Sequence, residues 1–163
     1  MTASIRKGVK SDLPDVLKLI KELAKFEKAP DEVENTIERM ELEGFGSRPY
    51  FEFFVAEVDS NIVGLALYFF SYSTWKGKSL YLDDLIVQKE YRGEGIGTQL
   101  FNELLKVAKE SNCGKVHWQV LDWNEPAIEY YKKIGSEFDE EWINCAIPNN
   151  KISKAIQLTQ GQS

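Results

Sequence analysis

Apolar residues at Leu13, Val16, Leu17, Ile20, Leu23 and Ala24 recur every three or four positions, which is the signature of one buried helical face. The spacing predicts a helix capped by Ser11 and ending near Glu27, before Pro30. Pro14 is tolerated in its first turn, where backbone N–H groups lack an intrahelical acceptor. Asn35 and Glu38 stand at capping-box spacing ahead of a shorter helix through Glu43, with Gly44 as its stop. From Tyr50 the period changes. Phe51–Val58 and Ile62–Ser71 are rich in β-branched and aromatic residues and flank Asp59-Ser60-Asn61, which predicts a hairpin.

Ser4–Lys7 is short enough for a first strand, and Ser79–Val87 reads as a further one. A helix follows from about Gly95 to Ser111, with Leu100, Phe101, Leu104, Leu105 and Ala108 as its buried face. Lys115–Leu121 is expected as a strand, Glu125–Ile134 as a helix stopped by Gly135, and Phe138–Ile147 as a last strand. Beyond Pro148 there is no strong pattern, although Ile152, Ala155, Ile156 and Leu158 could form a docked end. The order β-α-α-β-β-β-α-β-α-β implies an α/β (α+β) fold with a mixed central sheet and helices on both faces. No repeat or linker interrupts it.

With 163 residues, 43% of them hydrophobic and 28% charged, the chain is expected to form one domain, residues 1–163, around one core. A formal net charge of -6 argues against binding nucleic acid and suits a cationic partner. The opening Met1 to Arg6 has no apolar signal region, and the longest apolar run, Ile62 to Phe70, is far shorter than the ~20 residues of a membrane helix. No membrane association is therefore expected. Cys113 and Cys145 lie far apart without metal-ligand spacing, so free thiols and a cytoplasmic location are expected, and no metal site.

The stretch richest in chemistry is Tyr91-Arg92-Gly93-Glu94-Gly95-Ile96-Gly97-Thr98, between a strand and an amphipathic helix. Glycines there let the backbone approach a ligand, and the first N–H groups of the helix, at the positive end of its dipole, suit a pyrophosphate. A dinucleotide fingerprint would be G-x-G-x-x-G after a first strand, and a P-loop would continue into Gly-Lys-Ser/Thr; neither is present.

Arg92 to Gly97 resembles the acyl-CoA pyrophosphate loop of the GNAT acetyltransferase superfamily. Trp123-Asn124-Glu125-Pro126-Ala127-Ile128-Glu129-Tyr130-Tyr131-Lys132-Lys133-Ile134-Gly135 is similar to the same superfamily's Asn-x-x-Ala-x-x-x-Tyr-x-x-x-Gly segment. Within it, Ile5 to about Ala146 resembles the diamine acetyltransferase group, which includes spermidine/spermine N1- and thialysine Nε-acetyltransferases. Leu19 to Glu27, Gly44-Phe45-Gly46, Tyr81-Leu82-Asp83-Asp84 and Trp123 to Pro126 carry that likeness. Ser73 to Gly77 and Val120 to Asn124 are closer to the thialysine branch.

The resemblance implies acetyl-CoA as acetyl donor, a small cationic amine as acceptor, and a homodimer. A primary alkylamine has a pKa near ~10.4, so it arrives as a non-nucleophilic ammonium; carboxylates must attract it and a base or water must take its proton. Tyr131 matches the family tyrosine that protonates the departing thiolate. For the cofactor, Gly93, Glu94, Gly95, Ile96, Gly97 and Thr98 match the pyrophosphate loop, with Arg92 near phosphate. Leu85, Ile86 and Val87 would offer backbone groups to the pantetheine as a pseudo-strand. Asn124 matches a position that seats the cofactor, with Glu125, Pro126 and Ala127 beside it; it also suits a plain helix N-cap.

For the amine, Glu27 and Asp83 match acidic family positions, with Asp84 adjacent; polyamine enzymes carry a glutamate where this chain has Asp83. Strand alternation puts Asp83 and Asp84 on opposite faces, so only one would face a given pocket. Phe26 would flank the alkyl chain, His117, Trp118 and Gln119 fall beside the substrate by the family match, and Trp142 matches an aromatic position. Phe138, Trp142, Ile143 and Ile147 suit core or interface equally. Two other readings stay open: a protein-lysine or peptide acetyltransferase, and a non-catalytic acyl-CoA sensor.

Overall fold

A computed structural model describes residues 2–161; Met1, Gln162 and Ser163, the ends of the expected 1–163 domain, lie outside the described residues. The chain divides into two compact units, one ending at Leu121 and the other beginning at Asp122. The first holds a sheet ordered β1 (Ser4–Lys7), β2 (Glu52–Val58), β3 (Asn61–Ser73), β4 (Gly77–Val87) and β5 (Lys115–His117). Pairing is antiparallel from β1 to β4 and parallel between β4 and β5, so the sheet is mixed as expected. Its helices are α1 (Leu13–Phe26), α2 (Ile37–Phe45) and α3 (Ile96–Glu110).

Alternation along the strands sorts side chains between the two helical layers. Phe53 and Val55 of β2, Leu65 and Leu67 of β3 and Ile86 of β4 meet Leu13, Val16 and Leu17 of α1 and Met40 of α2 in one cluster, here called the α1 face. The intervening residues face α3. There Gly64 is required for close approach: a Cβ would lie 3.0 Å from Leu100 Cδ1 and 3.1 Å from Ala56 Cβ. Truncating a fully buried leucine such as Leu65 would cost about 2–5 kcal/mol.

The entry into α1 differs from the expected Ser11 cap. A short 3-10 turn, Lys10–Asp12, precedes the helix and Asp12 takes the N-cap position. The Asp12 carboxylate accepts from Val9 N–H at 2.8 Å and from two Arg6 nitrogens at 2.8 and 2.9 Å, which ties α1 to β1 and holds the carboxyl below its usual range. At α2 the cap is Thr36, whose Oγ1 accepts from Arg39 N–H at 3.2 Å, and the helix runs to Phe45 past the expected stop at Gly44. Asn35 instead turns its Oδ1 to the N–H of Thr36.

The second unit contains α4 (Glu125–Lys133) and α5 (Asn149–Gln160). The strand expected over Phe138–Ile147 is absent; the segment is irregular, with Trp142 75% and Ile143 88% exposed. Its large apolar residues fall at 138, 142, 143 and 147, two on even and two on odd positions. A strand would therefore carry them on both faces and need cover on each. The unpatterned tail after Pro148 forms α5, with Ile152, Ile156 and Leu158 exposed. Regular pairing in β5 stops at His117, short of the expected Leu121. No helix among the described residues is long and apolar enough to cross a membrane.

Candidate active site

The register of β3 and β4 slips by one residue at the acidic pair. Ala66 faces Leu85, Leu67 faces Asp84, and then Tyr68 faces Leu82, which leaves Asp83 as an extra residue on β4. Directly opposed residues share a face, so Leu82 and Leu85 take the α3 face while Asp83 and Asp84 both take the α1 face. The expectation that alternation separates the two aspartates is thereby overturned, because a β-bulge interrupts the alternation between them.

Glu27 joins this pair from the end of α1, where it is the C-cap and its N–H reaches Leu23 O at 2.9 Å. Desolvation, and then Asp83, push the Glu27 carboxyl above its ordinary range. Asp83 is raised by desolvation. Asp84, half-buried, is pushed from 3.8 up to about 7 by desolvation first, then by Asp83 and Glu27. Asp83 and Glu27 keep solvent-exposed surface, so they are open to a ligand while protein displaces much of their hydration. Three carboxylates, with Asp83 raising both of the others and Glu27 raising Asp84, form with the negative end of the α1 dipole a place where a cation is stabilised.

Tyr81 stands two residues before Asp83 and shares its face. Its ring packs on Phe69 with centroids 5.1 Å apart and against His117 edge-on at 4.9 Å. Its hydroxyl donates to Gln119 Oε1 at 3.2 Å. His117 Nε2 lies 3.0 Å from Ser71 Oγ, and desolvation followed by Lys115 lowers the imidazole's proton affinity, so it is neutral at pH 7. Trp118 is not brought to this group; it turns to α3, where its ring meets Phe101 at 5.3 Å. Of the three expected binders on this segment, the structure gathers His117 and Gln119 beside Tyr81.

Pairing of β5 with β4 covers only Ser79–Tyr81. From Leu82 to Val87 the outer edge of β4 has no strand neighbour among the described residues. Leu85 and Val87 direct their side chains to the α3 face and Ile86 is buried in the α1-face core, so this edge offers backbone. Arg92 Nε donates to Val87 O at 2.8 Å, and its guanidinium lies 5.5 Å from the Phe26 ring and 4.0 Å from Glu22. Arg92, expected near phosphate, is thus moored between the end of β4 and the last turns of α1.

Gly93 and Gly95 have φ of 86° and 78°, left-handed values that a Cβ disfavours. Gly95 is the N-cap of α3 and no side chain caps the helix. Ile96 is buried, which commits its side chain to the core, whereas Glu94 and Thr98 are exposed. An uncapped helix start after left-handed glycines fits an anionic pyrophosphate.

In the second unit, Asn124 occupies the N-cap of α4 without a side-chain capping bond; its carbonyl accepts from Ile128 N–H at 3.0 Å. Pro126 sits in the first turn, where it suits a helix start, between Glu125 and Ala127. At the other end Gly135, φ 84°, donates to Lys132 O and Ser136 N–H reaches Tyr131 O at 3.0 Å. This pair of bonds fixes the last turn and with it the backbone of Tyr131. Tyr131 is buried, its ring 5.5 Å from that of Tyr130, and burial followed by Tyr130 pushes its phenol up to about 12. Trp142 lies on the irregular segment.

Residues 16–135 match the family model "Acetyltransferase (GNAT) family". The chain belongs to this family. It is a GNAT-fold acyltransferase, and the family match spans the β4 edge, the glycine loop and α4 alike. A thialysine N-epsilon-acetyltransferase of Bos taurus is 40% identical over 141 residues, covering 82% of this chain and 83% of that protein. Spermidine/spermine N(1)-acetyltransferase-like protein 1 of Homo sapiens is 38% identical over 139 residues, 81% of this chain and 20% of its own length. Among solved structures, an integron cassette protein from the mobile metagenome of V. cholerae superposes with a TM-score of 0.78 at 23% identity, covering 96% of this chain and 99% of its own. That likeness speaks for the GNAT fold.

Sequence reasoning assigns no site role to Tyr81, Ser71 or Glu22, although Tyr81 and Glu22 lie in segments that carry the family likeness. Alternation carries a signal for the first, since Tyr81 and Asp83 stand two apart on one strand, as His117 and Gln119 do on the next.

Proposed function

We propose that residues 1–163 form one acetyltransferase domain that moves the acetyl group of acetyl-CoA directly to a primary amine of a small cationic metabolite, with thialysine or lysine-like amino acids ahead of diamines and polyamines. The bulge that turns Asp83 and Asp84 to the face where Glu27 stands is the observation that carries this reading. The identity to thialysine N-epsilon-acetyltransferases supports the choice of amine.

Gly93 to Thr98 would hold the pyrophosphate, with Arg92 steadying the loop, and the Leu85–Val87 edge would hold the pantetheine amides. Asn124, Glu125, Pro126 and Ala127 would seat its thiol end. Acetyl-CoA, when bound, supplies the thioester carbonyl that the amine attacks. Glu27, Asp83 and Asp84 hold the ammonium, with Phe26, His117, Gln119 and Trp142 as the remaining substrate contacts; Trp118, turned to Phe101, is not among them. Ionised carboxylates favour the charged amine, so the amine proton leaves through a carboxylate whose own affinity has been raised, or through water. Tyr131 Oη keeps its proton at neutral pH and gives it to the departing sulfur. The free thiols Cys113 and Cys145 support a cytoplasmic location, and the exposed Phe138, Trp142, Ile143 and Ile147 support pairing of two copies.

Free-thiol release from acetyl-CoA tests the reading, with thialysine, lysine, ornithine, putrescine, spermidine and a lysine peptide compared by kcat/KM. Highest kcat/KM on thialysine or lysine is expected. Preference for the peptide would replace the small-molecule assignment, and acetyl-CoA binding without release on any amine would replace enzyme by sensor.

A further inference from the structure

We propose that Tyr81 is a positioning residue of the amine site, its hydroxyl holding Gln119 on the chain just past β5, next to the strand that carries Asp83. The inference rests on the amine-acetyltransferase reading and adds to it a residue that makes no covalent step. Tyr81 and His117 are the last opposed pair before β4 and β5 cease to pair. Past that point the chain from Trp118 to Leu121 has no strand ladder to fix it, so side-chain contacts must set where Gln119 stands. Tyr81 supplies one: its Oη donates to Gln119 Oε1 at 3.2 Å across 38 residues of chain.

The ring is itself held on two sides, by Phe69 at 5.1 Å and His117 at 4.9 Å, and His117 is in turn tied to Ser71 of β3. A phenol has one proton to donate. Because that proton is directed to Gln119, it is not spent on Asp83 or Asp84, and the carboxylates keep their acceptor capacity for an ammonium. Burial followed by the two aspartates raises the Tyr81 phenol further, which keeps it a donor at neutral pH.

Tyr81→Phe removes the hydroxyl and keeps the ring contacts. With thialysine as the varied substrate, a rise in amine KM of about three- to tenfold is expected, with kcat, acetyl-CoA KM and Tm close to wild type. Gln119→Ala should give a similar rise, and adding Tyr81→Phe to it should change little further, since both remove one interaction. An unchanged amine KM in Tyr81→Phe, or a fall in Tm with both KM values rising together, would overturn the positioning role while wild-type turnover leaves the functional reading intact. If wild type turns over no amine, the reading fails and the proposal falls with it.

Discussion

Asp83 and Asp84 are consecutive on β4, yet both face α1, because Leu82 and Leu85 on either side of them face α3. One inserted residue converts a strand that would present a single carboxylate into one that presents two, beside Glu27. The geometry is costly, since adjacent carboxylates repel and are partly desolvated, and such a cost persists where the site needs it.

That cost sets a pH dependence of stability. Asp84 has a folded pKa of about 7 against 3.8 unfolded, so its folded form binds a proton more tightly. Its contribution is full below the unfolded value and is lost as pH rises from about 4 through 7. Asp84→Asn should therefore be more stable than wild type at pH 8, by at least ~1 kcal/mol, and the gain should vanish near pH 4. Urea denaturation at the two pH values checks this; a gain that is equal at both would contradict it.

Gly95 and Gly77 both have left-handed backbone with nothing within 4 Å of an added Cβ. Alanine at either should cost about 1 kcal/mol through backbone strain alone. Only Gly95→Ala should also raise the acetyl-CoA KM, because Gly95 starts α3 and Gly77 starts β4. Paired thermal melts and kinetics separate the two effects.

Tyr131→Phe should lower kcat by roughly 100-fold with little change in either KM, the size expected for loss of a general acid. With the phenol pushed up to about 12, wild-type kcat should show no loss from its ionisation up to about pH 10. A basic limb near pH 8 that disappears in Tyr131→Phe would contradict the raised phenol, and a kcat unchanged in Tyr131→Phe would contradict the proton-donor role.

What the sequence shows, it shows through local patterning. The α1 stripe from Leu13 to Ala24 and the α3 stripe from Leu100 to Ala108 are periodic, and both helices appear where the period places them. Gly93 and Gly95 are legible because a left-handed turn before a helix has few other ways to be built. The bulge is not legible, since a register slip is a property of two strands and Asp83-Asp84 reads as plain alternation on its own. The same holds for Tyr81 and Gln119, whose meeting depends on β4 lying parallel to β5. Phe138–Ile147 fails for a further reason: strand-forming composition there lacks a single apolar face. Thr36 takes the cap by accepting from Arg39 N–H, while Asn35, one residue earlier, accepts from Thr36 N–H, a division that the spacing of the two polar residues does not reveal.

The most direct test of the account is the thialysine KM of Asp83→Asn and Glu27→Gln, measured against the acetyl-CoA KM of the same proteins. If the α1-face carboxylates hold the substrate cation, each variant raises the amine KM about tenfold or more, the size of a lost charged hydrogen bond, and leaves the acetyl-CoA KM near wild type. An amine KM unmoved in both variants, with turnover intact, would contradict it and place the cation elsewhere.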